Sequence, residues 1–169
     1  SDQYTYKNGT SIQTGSSSAN PIQRSLQSRL DDFVNVKSFG ANGDGTDQTL
    51  ALQRAIDQLY LPWSGASDAD SLKKRVTLKL DAGLYKINDS LKVPPYVNLV
   101  GDGSDKTVIE QTGAFAVIET INGNGINAQT SSTNQSNIIR LQGMTLKSYL
   151  TNPALKLSST KDSQFVDIK

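Results

Sequence analysis

Cysteine and histidine are missing from all 169 residues, and there is one methionine and one tryptophan. Such a chain offers no disulfide framework, no thiol nucleophile, no Cys/His zinc site and no imidazole base. Long apolar runs are missing too. The longest, such as Phe115-Ala116-Val117-Ile118, span only a few residues, and none is long enough to cross a bilayer as a helix. The first residues, Ser1-Asp2-Gln3-Tyr4-Thr5-Tyr6-Lys7, contain neither Met nor a hydrophobic signal core, so the chain is expected to be processed or cut from something longer. Neither sign of charge is in excess: Lys plus Arg is 17, Asp plus Glu is 16, and the net charge is +1. That balance gives no bulk electrostatic grip on nucleic acid or anionic lipid, so neither nucleic acid nor membrane is expected as a partner. Lack of cysteine fits a protein made in a cytosol that must later survive outside it. What fills the chain instead is polar and uncharged. Ser, Thr, Asn and Gln together make up about a third of it, which suits short strands joined by many turns better than a helical bundle.

Residues 1–32 read as an appendage. Gly9, Gly15, the serines at 16–18 and Pro21 punctuate a stretch without sustained period, and its apolar residues are too sparse to offset the entropy of ordering it. A flexible linker is one reading. A segment ordered by wrapping a partner is the other, kept open by Tyr4 and Tyr6. Ile22, Leu26 and Leu30 then recur at four-residue spacing, which predicts a short amphipathic helix.

From Phe33 the texture changes. Phe33 to Phe39 alternates as a strand, with Val34 and Val36 on one face and Phe33 and Phe39 on the other. Gly40 to Gly45 reads as a turn cluster. A helix follows, N-capped by Thr46 or Asp47, with Leu52, Ala55, Ile56 and Leu59 as its apolar stripe and Pro62 as its stop. Trp63 to Asp70 is a Ser/Gly/Ala/Asp loop. After Arg75 the pattern predicts strands at Val76–Leu80, Leu84–Ile87, Val97–Val100, Val108–Gln111, Phe115–Ile121, Asn137–Leu141, Met144–Lys147, Ala154–Leu157 and Phe165–Ile168. Asn127 to Ser136 reads as a loop excursion. Starts at Val76, Val97, Val117, Ile138 and Phe165 recur at nearly even intervals, of the length that one turn of a parallel β-solenoid requires. The single helix would cover the open first coil. The run Phe165-Val166-Asp167-Ile168-Lys169 ends without a turn, so the natural chain is expected to continue, or a partner to cover that end.

Ser25 to Thr49, with its Phe39-Gly40-Ala41 and Gly43-Asp44-Gly45 elements, resembles the start of the pectate-lyase-like right-handed β-helix in bacteriophage tailspikes and tail fibres. Ala51-Leu52-Gln53-Arg54-Ala55-Ile56-Asp57 is similar to the helix of that family. Asp81-Ala82-Gly83-Leu84-Tyr85-Lys86-Ile87 resembles its Pro-Ala-Gly-x-Tyr strand, with Asp81 in place of the proline. Val97 to Gly103 resembles the next coil. The resemblance is close from Ser25 to Gly103 and general thereafter. It implies a mainly β chain, with residues 1–32 as a virion-attachment or linker segment and 33–169 as the first coils of a right-handed parallel β-helix with an N-terminal capping helix.

Several residues invite a chemical reading. Asn42 to Asp47 suggests a calcium loop, but the sixth and twelfth positions hold Asp47 and Gln53, not the Gly and Glu of an EF-hand. A tight turn feeding a helix cap is the better account. Gly101-Asp102-Gly103-Ser104-Asp105-Lys106 lacks the Gly-Lys-Ser/Thr ending of a phosphate loop and reads as a turn between strands. Asp102, Asp105 and Glu110 are the nearest candidates for paired catalytic carboxylates, and solvated turn acids are the simpler reading. Tyr85, Tyr96, Tyr149 and Trp63 are candidates for stacking on sugar rings, against rim and core packing. No residue is assigned a catalytic, cofactor or metal role, and no cofactor is expected.

The resemblance implies a structural component of a phage tail, located in the virion and assembled in the host cytoplasm. Residues 1–32 would hold tail or baseplate proteins, three chains would associate as a homotrimer, and the part beyond Lys169 would meet a host surface polysaccharide. The alternative is a polysaccharide lyase or glycoside hydrolase of the same superfamily.

Overall fold

Leu78, Leu99 and Leu141 stand side by side on neighbouring parallel strands, each 2% exposed or less. This column is the sequence alternation turned into a core. In the computed structural model the described residues are 3–5, 23–30, 34–58, 77–94, 96–121, 136–137, 139–149, 151–158 and 160–169. Phe33, Leu59, Pro62, Trp63 to Asp70, Val76 and most of Asn127 to Ser136, all singled out above, lie outside them. So do residues 6–22, with Tyr6 and Ile22.

The chain divides into two compact units, Ser1–Phe33 and Val34–Lys169. In the first, β1 (Gln3–Thr5) pairs antiparallel with β2 (Gln23–Ser25), where no strand is expected from the sequence. α1 (Leu26–Leu30) follows, and the Ser25 hydroxyl accepts from the Ser28 amide at 3.1 Å as its cap. Leu26 and Leu30 are exposed, so no apolar face of this helix is buried.

The second unit is a right-handed parallel β-helix, and all pairings among its described strands are parallel. The first coil supplies β3 (Val34–Asn35), β4 (Asp44–Asp47) and α2 (Thr49–Gln58). The second supplies β5 (Thr77–Lys79), β6 (Gly83–Ile87) and β7 (Leu91–Val93). The third supplies β8 (Asn98–Val100), β9 (Thr107–Gln111) and β10 (Ile118–Thr120), with β11 (Ser136–Asn137) after them. The fourth supplies β12 (Arg140–Lys147), β13 (Leu155–Lys156) and β14 (Thr160–Lys161), and β15 (Gln164–Ile168) opens the next. One sheet stacks β3, β5, β8, the first half of β12 and β15. A second stacks β4, β6, β9 and the second half of β12, and a third stacks β7, β10 and β13. Inward residues are apolar in each: Tyr85 beside Ile109 beside Leu146, and Leu91 beside Ile118 beside Leu155.

Differences from the sequence reading have local causes. The predicted strand Phe33–Phe39 stops at Asn35, whose side chain accepts from the Lys37 amide at 2.9 Å and starts a 3-10 turn over Val36–Phe39. A side-chain bond of this kind competes with the strand ladder. The turn cluster gives way to β4 at Asp44, and Leu91–Val93, not assigned from sequence, is a strand. Asn137–Leu141 and Met144–Lys147 are largely one strand, β12. It bends at Gly143, whose φ of +68° is open to glycine, and a Cβ on Gly101 of the coil below would strike the Gly143 carbonyl. The recurrence also needs correcting. Val117 does not begin the first sheet again, because Arg140 pairs with Asn98. The coil from Leu99 to Leu141 is therefore twice as long as the coil from Leu78 to Leu99.

α2 joins the core through Leu52, Ala55 and Ile56. Its Asp47 carboxylate, not Thr46, serves the helix start, accepting from the Thr49 amide at 3.2 Å and hydroxyl at 2.6 Å. Gln53 completes the contact. Its amide accepts from Lys92 N at 2.8 Å and donates to Lys92 O at 3.0 Å, the two bonds that a paired strand would offer β7.

Candidate functional site

The outward residues of β6, β9 and β12 form a charge column. Lys86, Glu110 and Lys147 are in register, with Asp47 of β4 beside Lys86. Opposite signs directly across a sheet attract, and stacking alternates them. The third sheet repeats the device. Glu119 lies between Lys92 at 3.9 Å and Lys156 at 3.4 Å.

Where β9 and β12 leave the second sheet, the column opens into a pocket of about 360 Å³. Glu110, Gln111 and Gly113 line it from the third coil, and Tyr149 and Asn152 line it from the fourth. The Tyr149 hydroxyl donates to Glu110 Oε1 at 2.6 Å, and Lys147 Nζ is 3.5 Å from Glu110 Oε2. The same ammonium stands 5.4 Å from the centroid of the Tyr149 ring. The Tyr149 hydroxyl, then Lys147 and Lys86, hold the Glu110 carboxyl below its ordinary range. The Tyr149 hydroxyl and Glu110 push the Lys147 ammonium up. That lowering runs opposite to the raised pKa that a proton donor for sugar cleavage needs. Gln111, with no exposed surface, donates its amide to Phe115 O at 2.6 Å. Its carbonyl oxygen is buried and has no partner among the described residues.

The other candidates fall elsewhere. Asp102 pairs with Lys79 and accepts from the Ala82 amide at 2.7 Å, which ties the second coil to the third. Lys79 and then that amide lower its pKa. Asp81 does the same for the first and second coils, 2.6 Å from Lys37 and 3.0 Å from the Asn35 amide. Among the described residues no three acidic side chains converge as a metal site. In the Asn42 to Asp47 loop, Asp44 Oδ1 accepts from the Thr46 amide at 3.0 Å, the Thr46 hydroxyl at 2.5 Å and the Gln48 amide at 3.2 Å. This is the bonding of a turn. The Gly101 to Lys106 turn is closed by Thr107, whose hydroxyl accepts from the Asp102 amide at 2.9 Å. Of the aromatics proposed for stacking, Tyr85 is fully buried and its hydroxyl donates to Asp81 O at 2.9 Å. Trp63 lies outside the described residues, and Tyr149 is 43% exposed on the pocket. Lys147 and Asn152 carry no functional signal in the sequence, and Lys147 meets Glu110 only through coil register.

Stacked parallel strands with inward aliphatic columns and outward charge columns place the chain among the parallel β-helix proteins. A family model described as rhamnogalacturonase A/epimerase, pectate lyase-like, matches residues 33–163, and the chain belongs to that family. Mannuronan C5-epimerase AlgE2 of Azotobacter vinelandii is 37% identical over 84 residues, 45% of this chain and 7% of the relative. Alginate lyase 7 of the same organism is 34% identical over 114 residues, 61% of this chain and 13% of the relative. The chain therefore spans a small part of the curated relatives it matches. Among solved structures, ORF18 of Geobacillus virus E2 superposes with a TM-score of 0.62 at 23% identity, over 85% of this chain and 26% of that one. The N-terminal fragment of bacteriophage phi29 gene product 12 gives 0.62 at 20% identity, over 85% and 23%. These two likenesses concern the fold.

Proposed function

We propose that this chain is the base of a bacteriophage tailspike or tail fibre. Residues 1–32 attach it to tail or baseplate proteins, and the solenoid from residue 33 carries a receptor-binding or depolymerising part beyond Lys169. The observation that carries the reading is the fold likeness to two viral chains over 85% of this one. The lead-in from Ser25 to Thr49, which resembles the junction in phage spikes, supports it. Three copies docking on one tail give a closed cyclic assembly, and a chain rich in Ser, Thr, Asn and Gln suits a wet interface. Antibody raised against residues 34–169 is expected to label the tail tip of particles made by the virus encoding the chain. Labelling of the bacterial envelope with none on particles overturns the reading.

A second reading is a polysaccharide lyase, epimerase or glycoside hydrolase, favoured by relatives named for alginate and mannuronan. It predicts that the chain with its natural continuation shortens or modifies a surface glycan. Purified protein leaving host capsule and lipopolysaccharide unchanged in size and composition rejects it.

A further inference from the structure

Of the four Asn-Gly pairs in the chain, Asn42-Gly43 is the one that lies among the described residues. Asparagine is thermolabile, because the backbone nitrogen of the next residue can attack its side-chain amide carbon. Glycine in that next place leaves the nitrogen unshielded by a side chain. The fold requires glycine at 43. Its φ is +67°, and a Cβ there would lie 2.9 Å from Tyr85 Cζ and 3.1 Å from Gly83 Cα. The second coil packs so closely against this turn that no bulkier residue can stand beside Asn42 to protect it.

The turn also presents the reacting groups. Asn42 is exposed, so water reaches it. The backbone is held on both sides: the Asn42 N–H donates to Gln48 Oε1 at 2.8 Å, and Gly43 O accepts from the Leu84 N–H at 2.9 Å. Between them the Gly43 N–H has no acceptor among the described residues, so no hydrogen bond has to break before that nitrogen attacks. Thr46, through its hydroxyl and then its N–H, and after it the Asn42 amide hold the Asp44 carboxyl below its ordinary range. An Asn42 side chain bonded two residues ahead lies alongside the Gly43 peptide, and closeness of that kind favours ring closure.

We propose that Asn42-Gly43 is a self-modification site. The Gly43 nitrogen bonds to Asn42 Cγ, the Cγ–N bond of the side-chain amide breaks, and the Gly43 proton leaves with the amine as ammonia. Water then opens the cyclic imide, at one carbonyl to give aspartate and at the other to give isoaspartate. Either product sets a new carboxylate beside Asp44 in place of an amide that donated to it, and like charges repel. Isoaspartate also inserts a methylene into the backbone where two coils touch, since a Cβ on Gly83 would meet Gly43 O at 2.6 Å. Ageing of this turn therefore loosens the start of the β4–β6 pairing. The inference needs neither the virion reading nor the glycan reading.

The test is incubation of the intact chain at mildly alkaline pH, folded and in urea, followed by tryptic mapping. The fragment Ser38 to Arg54 holds Asn42 as its one asparagine, which separates it from Asn8, Asn122 and Asn124 of the other pairs. Acid is expected to form in this fragment in the folded protein at a rate within about tenfold of that in urea, with isoaspartate detected by enzymatic methyl labelling. Asn42→Gln, whose longer side chain closes a ring less readily, is expected to stop the change over the same period. The aged protein and Asn42→Asp should both melt below the fresh protein, the isoaspartate fraction lowest, and the loss in Asn42→Asp should shrink as salt is raised. Folding that slows the reaction at Asn42 by more than about tenfold overturns the proposal. So does an acid gain that persists in Asn42→Gln, which places the reaction at Gln48 or Gln53. An unchanged midpoint in aged protein overturns the loosening of the first coil.

Discussion

Tyr85 shows how a single side chain links sequence to stability. Lys86 beside it is outward and charged, so alternation along Gly83–Ile87 directs Tyr85 and Ile87 inward, and both are fully buried. That signal was readable and outweighs the idea of a sugar-stacking residue. Burial, with Asp81 and Asp102 adding, pushes the phenol up to about 12 from an ordinary 10.0. A proton held more tightly in the folded state gives stability that is intact below pH 10 and lost as pH rises from 10 to about 12. Tyr85→Phe is expected to flatten that alkaline loss in thermal melts at pH 8, 10 and 11.5. It should also cost about 0.5–1.5 kcal/mol at neutral pH by removing the bond to Asp81 O. At the corner of the sheets, Gly101→Ala drives a methyl into the Gly143 carbonyl. A loss of about 1–3 kcal/mol in urea unfolding is expected from overpacking.

Among elements, α2 and the charge columns hold the coils in register by different means. Gln53 bonds both backbone groups of Lys92, so the glutamine of the Ala51-Leu52-Gln53 motif serves as a surrogate strand for β7. Gln53→Leu leaves that N–H and C=O without partners, and a loss of about 1–3 kcal/mol is expected in denaturant melts. Leu52→Ala should cost about 2–5 kcal/mol, since Leu52 is 2% exposed in the core. If neither change lowers stability, α2 does not close the solenoid. Glu119→Lys places three lysines in one column with Lys92 and Lys156. It should destabilise by about 0.2–1 kcal/mol, and the loss should shrink as salt is raised. The helix was legible because its stripe repeats within one short window. The columns were not, because Lys92, Glu119 and Lys156 are neighbours in space but lie far apart, and unevenly, along the chain. No local pattern spans such distances when coil lengths differ.

At the scale of the whole chain, the strand-rich solenoid was legible from composition, alternation and motif, while the coil count was not. Ile118 carries the same apolar signature as Leu99 but belongs to another sheet, and only pairing tells them apart. Carboxylate bonds, one within the Asp44 turn and the others between coils, also shape the response to acid. Asp44, Asp81, Asp102, Glu110 and Asp167 all have lowered pKa values through bonds to Thr46, Lys37, Lys79, Tyr149 and Ser104 respectively. Carboxyls depressed in this way give stability that is present above their ordinary values of 3.8 to 4.5 and lost as pH falls through the native ones. The first unit should contribute little to that stability. Every described residue of the buried core lies at Val36 or beyond, and among the described strands β1 pairs with β2. Deleting residues 1–32 is therefore expected to keep the far-UV circular dichroism of the solenoid and its thermal midpoint within about 2 °C, since each kcal/mol lost moves such a domain by about 2–8 °C. On the attachment proposal the deleted protein also stays out of assembled particles. Because the segment has only Asp2, Lys7 and Arg24 as charged side chains before Ser25, Tyr4→Ala with Tyr6→Ala should weaken incorporation with little dependence on salt. Incorporation of the deleted protein at the wild-type level places attachment elsewhere in the chain, and a midpoint lowered by more than about 5 °C makes residues 1–32 part of the folded solenoid.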